Sequence, residues 1–513
     1  MSHIEKVDSP PAHFHILDLF AGPGGLDVAA DVLGYQVTGI EWDPGACATR
    51  SAAGMDTFQG DVRQYRAAFF PHAQVLTGGP PCQTFTVAGH GAGRRALDEV
   101  LQYIERLHTA VRPENQQDWR QIFRTWRKIS EELRQRELDA KGVKAEKREV
   151  EELRAKIRKT MRNRLDQLGA SPDEVKKFVK QLKTPQKIDC ADRELVDLVK
   201  KFSDLNNKLG KLKIQLEELG DERTGLVLQP LWWVIERSRR PGCTPYEAVV
   251  LEQVQAVMPV WEKYAEVLAS LGYRTRTQLM HTEAFGVPQT RRRAVLMARL
   301  DRAVVLNGTE ASRLPRVPET HELYHRGDSP VRSSKTGHAD TLPLGASKKS
   351  WVSMETALKK ARQISRKVGD RPAFTVISNY GTGGVPEARG RRDHDAPSAT
   401  ITGKVSRNRV VHKGTEEDLV DFNRFNNAEA GVLQTFPVAY PWRGNDVSQQ
   451  IGNAVPPRLA LHVLRQVLEP GLSADEAGAR LDRAVAKLER WKPGRPVEIR
   501  EHGGWEGHPL TGR

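Results

Sequence analysis

One cysteine stands where a nucleophile would be expected, within Pro80-Pro81-Cys82-Gln83. A short apolar run and two glycines, residues 75–79, precede it, which predicts a strand followed by a loop. Ligands and reactive groups gather at the carboxyl ends of strands in open α/β sheets. Each proline fixes its φ angle, so the loop has little freedom. Because only a thiolate attacks, we expect Cys82 to act as a nucleophile helped by a nearby positive charge.

A second group of residues has the chemistry of a ligand site. Residues 14–20 read as a buried strand, and the glycine-rich segment 21–25 follows it and opens a helix. Such a turn lets a ligand approach the backbone, and the helix N-terminus favours an anion. The spacing is not that of the dinucleotide fingerprint, so a tight turn without a ligand stays an alternative.

Three side chains near this turn favour an adenosine-containing ligand. Glu41 ends a second predicted strand and can accept hydrogen bonds from ribose hydroxyls. Trp42 can stack on adenine, and Asp61, at a later turn, can accept from the adenine amino group.

Composition limits the class of protein. A chain of 513 residues predicts two or three domains. The net charge of +14 indicates a polyanionic partner such as nucleic acid, or a generally basic surface with no specific partner. There is no apolar signal segment near the start and no run of 18 apolar residues, so we expect an intracellular, cytoplasmic protein without membrane contact.

The four cysteines predict no metal site. None lies in a C-x-x-C pair, and no Cys/His spacing resembles a zinc site. Cys47, Cys190 and Cys243 are interpreted as ordinary small residues.

The predicted elements indicate a doubly wound α/β sheet with a long interruption. Strands alternate with helices up to about residue 94 and again from about 226, which favours parallel pairing. Between them, apolar residues recur at alternating intervals of three and four over 195–219, with similar spacing over 150–168. We predict an antiparallel helical hairpin or small bundle there. It is either a spacer or dimer arm, or a DNA-contacting element.

Four blocks occur in a diagnostic order: 18–25 (DLFAGPGG), 80–83 (PPCQ), 289–293 (QTRRR) and 450–456 (QIGNAVP). In these blocks the chain strongly resembles the DNA (cytosine-5)-methyltransferases of the bacterial and phage type. The resemblance covers about 1–95, 220–300 and 415–468. It implies a Rossmann-like, S-adenosylmethionine-dependent α/β fold, with a long coiled-coil-like helical insertion and a loop-rich target-recognition domain.

The implied domain limits follow from the blocks and the composition between them. They are a catalytic domain with the cofactor site and nucleophile loop (1–94), the helical insertion (95–220), the catalytic domain continued (221–301), the target-recognition domain (302–415), the end of the catalytic domain (416–470) and a polar, peripheral tail (471–513).

The resemblance also assigns roles to residues. The implied catalytic residues are Cys82, Glu252, Arg291 and Arg293, the two arginines being a cationic pair near the target base. The implied S-adenosylmethionine contacts are Phe20, Gly22, Gly25, Glu41, Trp42, Asp61, Val62, Asn453 and Ala454. Gln83, Gln289 and Thr400 are implied on the DNA side.

The implied reaction is methylation of cytosine carbon-5 in a specific sequence of double-stranded DNA. Cys82 adds to carbon-6 of a flipped-out base, Glu252 offsets the charge at N3, and carbon-5 then takes the methyl group. The enzyme would belong to a restriction-modification system or act alone, as an orphan or phage enzyme does.

One departure and two alternatives stay open. The family usually has Glu-Asn-Val where this chain has Glu252-Gln253-Val254, and that asparagine normally steadies the nucleophile loop. A related branch methylates tRNA, but the loop-rich stretch of about 110 residues argues for DNA recognition. The other alternative is a catalytically silent DNA-binding scaffold, with Gln253 the residue in its favour.

Overall fold

The computed structural model describes residues 14–81, 92–115, 118–171, 173, 174, 178, 192–219, 224–301, 313–325, 348–378 and 390–501. The chain divides into two compact units. The first contains the chain up to residue 82, residues 104–122 and everything from 226 onward. The second contains residues 83–103 and 123–225. The domain limits given above stay a prediction.

In chain order, the strands within the described ranges are β1 (His15–Leu19), β2 (Gln36–Glu41), β3 (Asp56–Gln59), β4 (Val75–Gly78), β5 (Ala248–Val254), β6 (Tyr273–His281), β7 (Arg292–Leu300), β8 (Phe374–Ile377), β9 (Arg391–Asp393), β10 (Arg409–His412) and β11 (Arg500–Glu501). The helices are α1 (Gly25–Leu33), α2 (Pro44–Ala53), α3 (Ala92–Val111), α4 (Trp119–Gln167), α5 (Arg193–Leu219), α6 (Gln229–Arg239), α7 (Met258–Ser270), α8 (Met354–Ile364), α9 (Asn427–Leu433), α10 (Val447–Asn453), α11 (Pro457–Leu468) and α12 (Ala474–Glu489). Among them, no helix is both long and apolar enough to cross a membrane.

The first unit is built on an eight-stranded sheet in the order β11-β3-β2-β1-β4-β5-β7-β6. Strands β2, β1, β4 and β5 pair in parallel, and the chain reverses direction across the sheet between β1 and β4. In doubly wound sheets, that reversal point is where ligands bind, beyond the carboxyl ends of the strands. The predicted α/β, Rossmann-like class is confirmed.

The far edge of the sheet differs from the expected parallel pairing. Strand β7 runs antiparallel to both β5 and β6. The link from β6 to β7 spans residues 282–291, which is shorter than the dozen or so residues of a parallel crossover. The sequence analysis missed β6, because its charged and polar residues (YRTRTQLMH) leave no apolar run.

The main core lies between this sheet and helices α1, α11 and α12. Leu461 and Leu464 of α11 are fully buried there with Val28 of α1. The predicted peripheral tail also enters the core, since Leu488 of α12 is buried. Beyond α12, β11 extends the sheet edge beside β3. The expectation of a peripheral tail was wrong there, because a few apolar positions in a polar helix are enough to pack it.

A smaller sheet in the order β10-β8-β9 lies in the loop-rich stretch. It has its own apolar cluster, in which Met354, Phe374 and Val410 are buried. The cluster extends to Leu433 and Ile451, so this region and the last of the four blocks, residues 450–456, share buried side chains.

The second unit contains the antiparallel helical hairpin of α4 and α5, as predicted. Ile157 and Met161 of α4 pack with Leu195 and Phe202 of α5. A second cluster joins Val150 to two leucines of α5. Because α4 has 49 residues, its length is about 73 Å.

Candidate active site

The turn after β1 has an unusual backbone. Phe20, Gly22 and Gly24 all have positive φ angles, 59°, 54° and 97°. A Cβ at Gly25 would lie 2.1 Å from the carbonyl oxygen of Val455, so only glycine allows this approach. The structure therefore brings the last block beside the turn. In that block Ala454 is buried, whereas Asn453 is exposed and accepts a hydrogen bond from Gln449 at 3.0 Å.

Glu41 holds this turn in place. One of its carboxylate oxygens accepts the backbone N–H of Gly22 and the other that of Asp43, both at 2.7 Å. Burial raises the pKa of Glu41, although both N–H bonds act to lower it. Trp42 beside it is 68% exposed, and a Cβ at Gly22 would meet no described atom within 4 Å. The turn therefore has a fixed backbone, an acceptor and an exposed aromatic ring, which fit an adenosine-containing ligand.

Asp61 and Val62 follow β3 at the same edge of the sheet. The N–H of Gly60 donates to the carbonyl of Glu41 at 2.9 Å, which joins the two strand ends. The carboxylate of Asp61 already accepts from Arg63, with an ion pair of 2.5 Å. Val62 is buried. Asp61 thus has a competing partner for any contact to a ligand.

A buried charged network lies in the sheet and helices that carry this turn. Arg50 of α2 donates to Asp27 of α1 at 2.5 Å, and both side chains are almost fully buried. Thr77 donates to Asp18 of β1 at 2.6 Å. Burial, followed by repulsion from Asp27, raises the pKa of Asp18 well above its ordinary value. Sequence reasoning missed this network; its signal was an aspartate inside an apolar strand.

Glu252 lies near the end of β5, beside the segment that leads to Cys82. A Cβ at Gly79 would lie 3.8 Å from its Oε2. The Nε of Arg293 lies 2.5 Å from its Oε1, and both side chains are largely buried. Burial lowers the pKa of Arg293, and the negative charge of Glu252 opposes that shift. The arrangement is a carboxyl group with a matched cation at a strand end.

Gln253 reaches the loop that leads to the cysteine. Its Nε2 donates to the carbonyl of Pro80 at 2.6 Å, and its Oε1 accepts the N–H of Val254 at 2.5 Å. Cys82 and Gln83 lie outside the described residues. The side chain that departs from the family pattern therefore still anchors the chain two residues before Cys82.

Arg291 is buried and donates to backbone carbonyls, and its implied place beside the target base stays a prediction. It donates to the carbonyls of Ile401 and Gly452, each at 2.9 Å. Burial, then repulsion from Arg293, lowers its pKa well below the ordinary value. Of the predicted cationic pair, Arg293 contacts Glu252, whereas Arg291 joins β7 to two distant segments.

Gln289 works beside Arg291. Its Nε2 donates to the side chain of Gln434 at 2.7 Å, and its Oε1 accepts the N–H of Ile401 at 2.7 Å. Thr400 donates to the carbonyl of Thr290 at 2.9 Å, so its hydroxyl is engaged within the protein. Gln434 was missed in the sequence, where nothing distinguishes it from other polar residues after a helix.

A Rossmann-like sheet that carries a glycine turn, an acid at the end of β2 and a buried acid–arginine pair near the end of β5 defines an α/β methyltransferase. The chain belongs to the C-5 cytosine-specific DNA methylases, whose family model matches residues 14–115 and 247–469, more than half of it. The unmatched stretch includes the helical hairpin.

Curated relatives match parts of the chain. The Type II methyltransferase M1.HphI of Haemophilus parahaemolyticus is 29% identical over 214 residues, which are 40% of this chain and 50% of that protein. The Type II methyltransferase M.HpaII of Haemophilus parainfluenzae is 39% identical over 83 residues, 16% of this chain and 23% of that one. The Orphan methyltransferase M.SPRI of Bacillus phage SPR is 35% identical over 101 residues, 18% and 23% of the two chains. The chain thus spans half or less of the length of these relatives.

Proposed function

We propose that this protein transfers a methyl group from S-adenosylmethionine to carbon-5 of cytosine in a specific double-stranded DNA sequence, through a covalent adduct of Cys82 with a flipped-out base. The observation that carries the proposal is the Glu252–Arg293 pair beside Gly79 and Pro80, the residues that lead into Cys82. Membership in the C-5 cytosine-specific DNA methylases supports the substrate class.

The proposed cofactor residues fit S-adenosylmethionine. Phe20, Gly22 and Gly25 would hold its methionine end, and Glu41 and Trp42 would hold its ribose and adenine. Asp61, Val62, Asn453 and Ala454 would complete the pocket. When bound, the sulfonium supplies the methyl group.

The proposed chemistry assigns one task to each side chain. The Cys82 thiolate forms a bond to carbon-6, which pushes electron density to carbon-5. Glu252 holds a proton at N3 and stabilises the charge that develops there. Arg293 keeps that carboxyl in position at 2.5 Å. After carbon-5 is methylated, its proton passes to water, the electron pair of that C–H bond re-forms the double bond between carbon-5 and carbon-6, and the carbon-6–sulfur bond breaks to release the Cys82 thiolate.

The test is methylation of genomic DNA in a host without cytosine methylation. We expect wild-type protein to produce 5-methylcytosine in one short motif, and Cys82→Ala to produce none. Cys243→Ala is the matched control, because Cys243 is a partly exposed free thiol, and it should methylate like the wild type.

The outcomes separate the alternatives. Methylation that survives Cys82→Ala would remove the covalent mechanism. Folded wild-type protein that binds S-adenosylmethionine but leaves DNA unmodified would point to an RNA substrate. Folded wild-type protein that neither binds S-adenosylmethionine nor methylates DNA would favour a silent scaffold.

A further inference from the structure

Charge is unevenly distributed along the hairpin. From residue 131 to 152, α4 carries eight acidic and six basic side chains, a net charge of −2. Residues 154–164 contain six basic side chains and no acidic one. Mixed charge is normal on a solvated helix, but such separation within one helix is not explained by solubility.

These two parts of α4, residues 131–152 and residues 154–164, also differ in ion pairing. In the mixed part, Lys141, Lys147 and Arg148 pair with glutamates four residues away, and Lys208 of α5 pairs with Glu146. These positive charges are matched inside the hairpin.

In residues 154–164, few basic side chains have an oppositely charged partner within the described part of the hairpin. Arg164 pairs with Asp192 and Glu194 across the hairpin. Arg158 lies over the ring of Phe202, 5.5 Å from its centroid. Lys156, Lys159 and Arg162 are exposed, and among the described residues none of them forms an ion pair.

The helix geometry arranges these three side chains as a stripe. They recur every third residue, so each is a surface neighbour of the next, and together they span about 9 Å of helix axis. Lys201 of α5 lies at the same level, because the contacts Arg154–Asn206 and Arg164–Asp192 fix the register on either side of it. It is also exposed and without an ion pair in the described part of the chain. We name Lys156, Lys159, Arg162 and Lys201 the basic stripe.

We infer that the basic stripe binds the phosphates of double-stranded DNA. This rests on the proposed function, which makes duplex DNA the polyanion that the protein handles. Four unmatched cations, three of them within about 9 Å of helix axis, can release several condensed counterions from a duplex. A second copy of the chain is the less suited partner, because the copy would present the same positive charges.

The stripe contacts phosphates rather than bases, so it adds affinity without sequence preference. We therefore expect its contribution to appear in the salt dependence of duplex binding and not in the choice of sequence.

The test compares two variants with equal loss of charge. The stripe variant is K156Q/K159Q/R162Q/K201Q. The matched control is K141Q/K147Q/R148Q/K208Q, which removes four cations that are already paired with glutamates in the same hairpin. Binding to mixed-sequence duplexes of about 14 and 40 base pairs is followed by fluorescence anisotropy across a salt series.

For the longer duplex, we expect the stripe variant to lower the slope of log affinity against log salt by about 2–4, at about 0.9 per phosphate contact. The control should lower it by less than about 1. The shorter duplex should show a difference of the same sign. Equal slopes for the two variants, or tighter binding of single-stranded RNA than of duplex, would overturn the inference.

Sedimentation velocity of both variants tests the competing partner. If the stripe variant dissociates a dimer while the salt slope stays unchanged, the stripe is a self-association surface and the inference is wrong. Because binding requires neither Cys82 nor the cofactor, the methylation assay can fail while the slope difference holds. If methylation occurs but the two variants have the same salt slope, the inference about the basic stripe is wrong and the proposed function still holds.

Discussion

The cofactor turn and the acid pocket lie at the same edge of one sheet but are held in different ways. The cofactor turn, residues 20–25 with Glu41, is fixed by backbone: positive φ angles, backbone N–H groups and a glycine in contact with a carbonyl oxygen. The acid pocket, Glu252 with Arg293, is fixed by side chains that arrive from separate strands. We therefore expect the cofactor turn to be sensitive to changes of residue size. We expect the acid pocket to be sensitive to changes of charge or of hydrogen-bond geometry.

The largest effect should come from changing the acid without changing its shape. We expect Glu252→Gln to lower kcat by about 10²–10³, because it removes the proton held at N3. The dissociation constant for S-adenosylmethionine should stay within about twofold, measured by calorimetry. A matching loss of cofactor affinity would mean that the two regions are not independent.

Arg291, just before β7, and Arg293, within it, should separate stability from catalysis. We expect Arg291→Lys to destabilise the fold by about 1–3 kcal/mol, because the single Nζ of lysine cannot occupy the positions of both Nη1 and Nη2, which donate to two separate buried carbonyls. Arg293→Lys should cost less than about 1 kcal/mol but lower kcat, since it keeps a cation beside Glu252 without the fixed geometry. Urea unfolding and single-turnover rates measure the two effects. If both variants lose stability equally, the assigned difference between the arginines is wrong.

A size change should damage the cofactor turn. Gly25→Ala places a Cβ 2.1 Å from the Val455 carbonyl, so we expect a loss of about 1–3 kcal/mol together with weaker S-adenosylmethionine binding. Gly478→Ala is the control, because Gly478 lies inside α12 with no described atom within 4 Å of its Cβ position. That change should stabilise the helix by about 0.5–1 kcal/mol. Unchanged cofactor affinity in Gly25→Ala would contradict the proposed site.

Acid should weaken cofactor binding through Glu41. Burial raises the pKa of its carboxyl group. It therefore takes up a proton at a higher pH than an ordinary glutamate, whose pKa is about 4.3. The neutral form cannot accept from both ribose hydroxyls. Below the raised pKa we expect affinity to fall by up to about tenfold per pH unit. The affinity of Glu41→Gln, measured over the same range, should be weak and nearly independent of pH.

The smallest effect concerns the departure from the family pattern. Gln253→Asn shortens the side chain by one methylene, so its amide no longer reaches the Pro80 carbonyl at 2.6 Å. Losing one hydrogen bond of about 0.5–1.5 kcal/mol should slow single-turnover methylation about two- to tenfold. A faster rate in the Asn variant would mean that Gln253 loosens the loop.

The same contrast explains what the sequence predicts. The residues that form the cofactor turn are close together in the sequence, so its glycines, Glu41 and the strands around them could be located from the sequence pattern, and β1, β2 and α1 lie where predicted. The hairpin was equally readable, because its apolar repeat is long.

Only part of the acid pocket could be predicted from the sequence. Glu252 and Arg293 were found by resemblance, but nothing in a single sequence tells that Arg291 donates to carbonyls 110 and 161 residues away. Gln434 could not be predicted either, because its hydrogen-bond partners belong to other elements. Strand β6 was missed because its burial depends on pairing with β7, not on its own composition.

The approach of Val455 to Gly25 has a consequence for synthesis of the protein. The cofactor turn is also held by the Tyr440 hydroxyl, which donates to the Pro23 carbonyl across 417 residues of chain. The hairpin, by contrast, joins two consecutive helices and can form before the rest of the chain is complete. On the ribosome, the turn would stay unsupported until residue 455 has emerged. A nascent chain therefore acquires the proposed cofactor pocket late, so shorter translation products would not compete for S-adenosylmethionine.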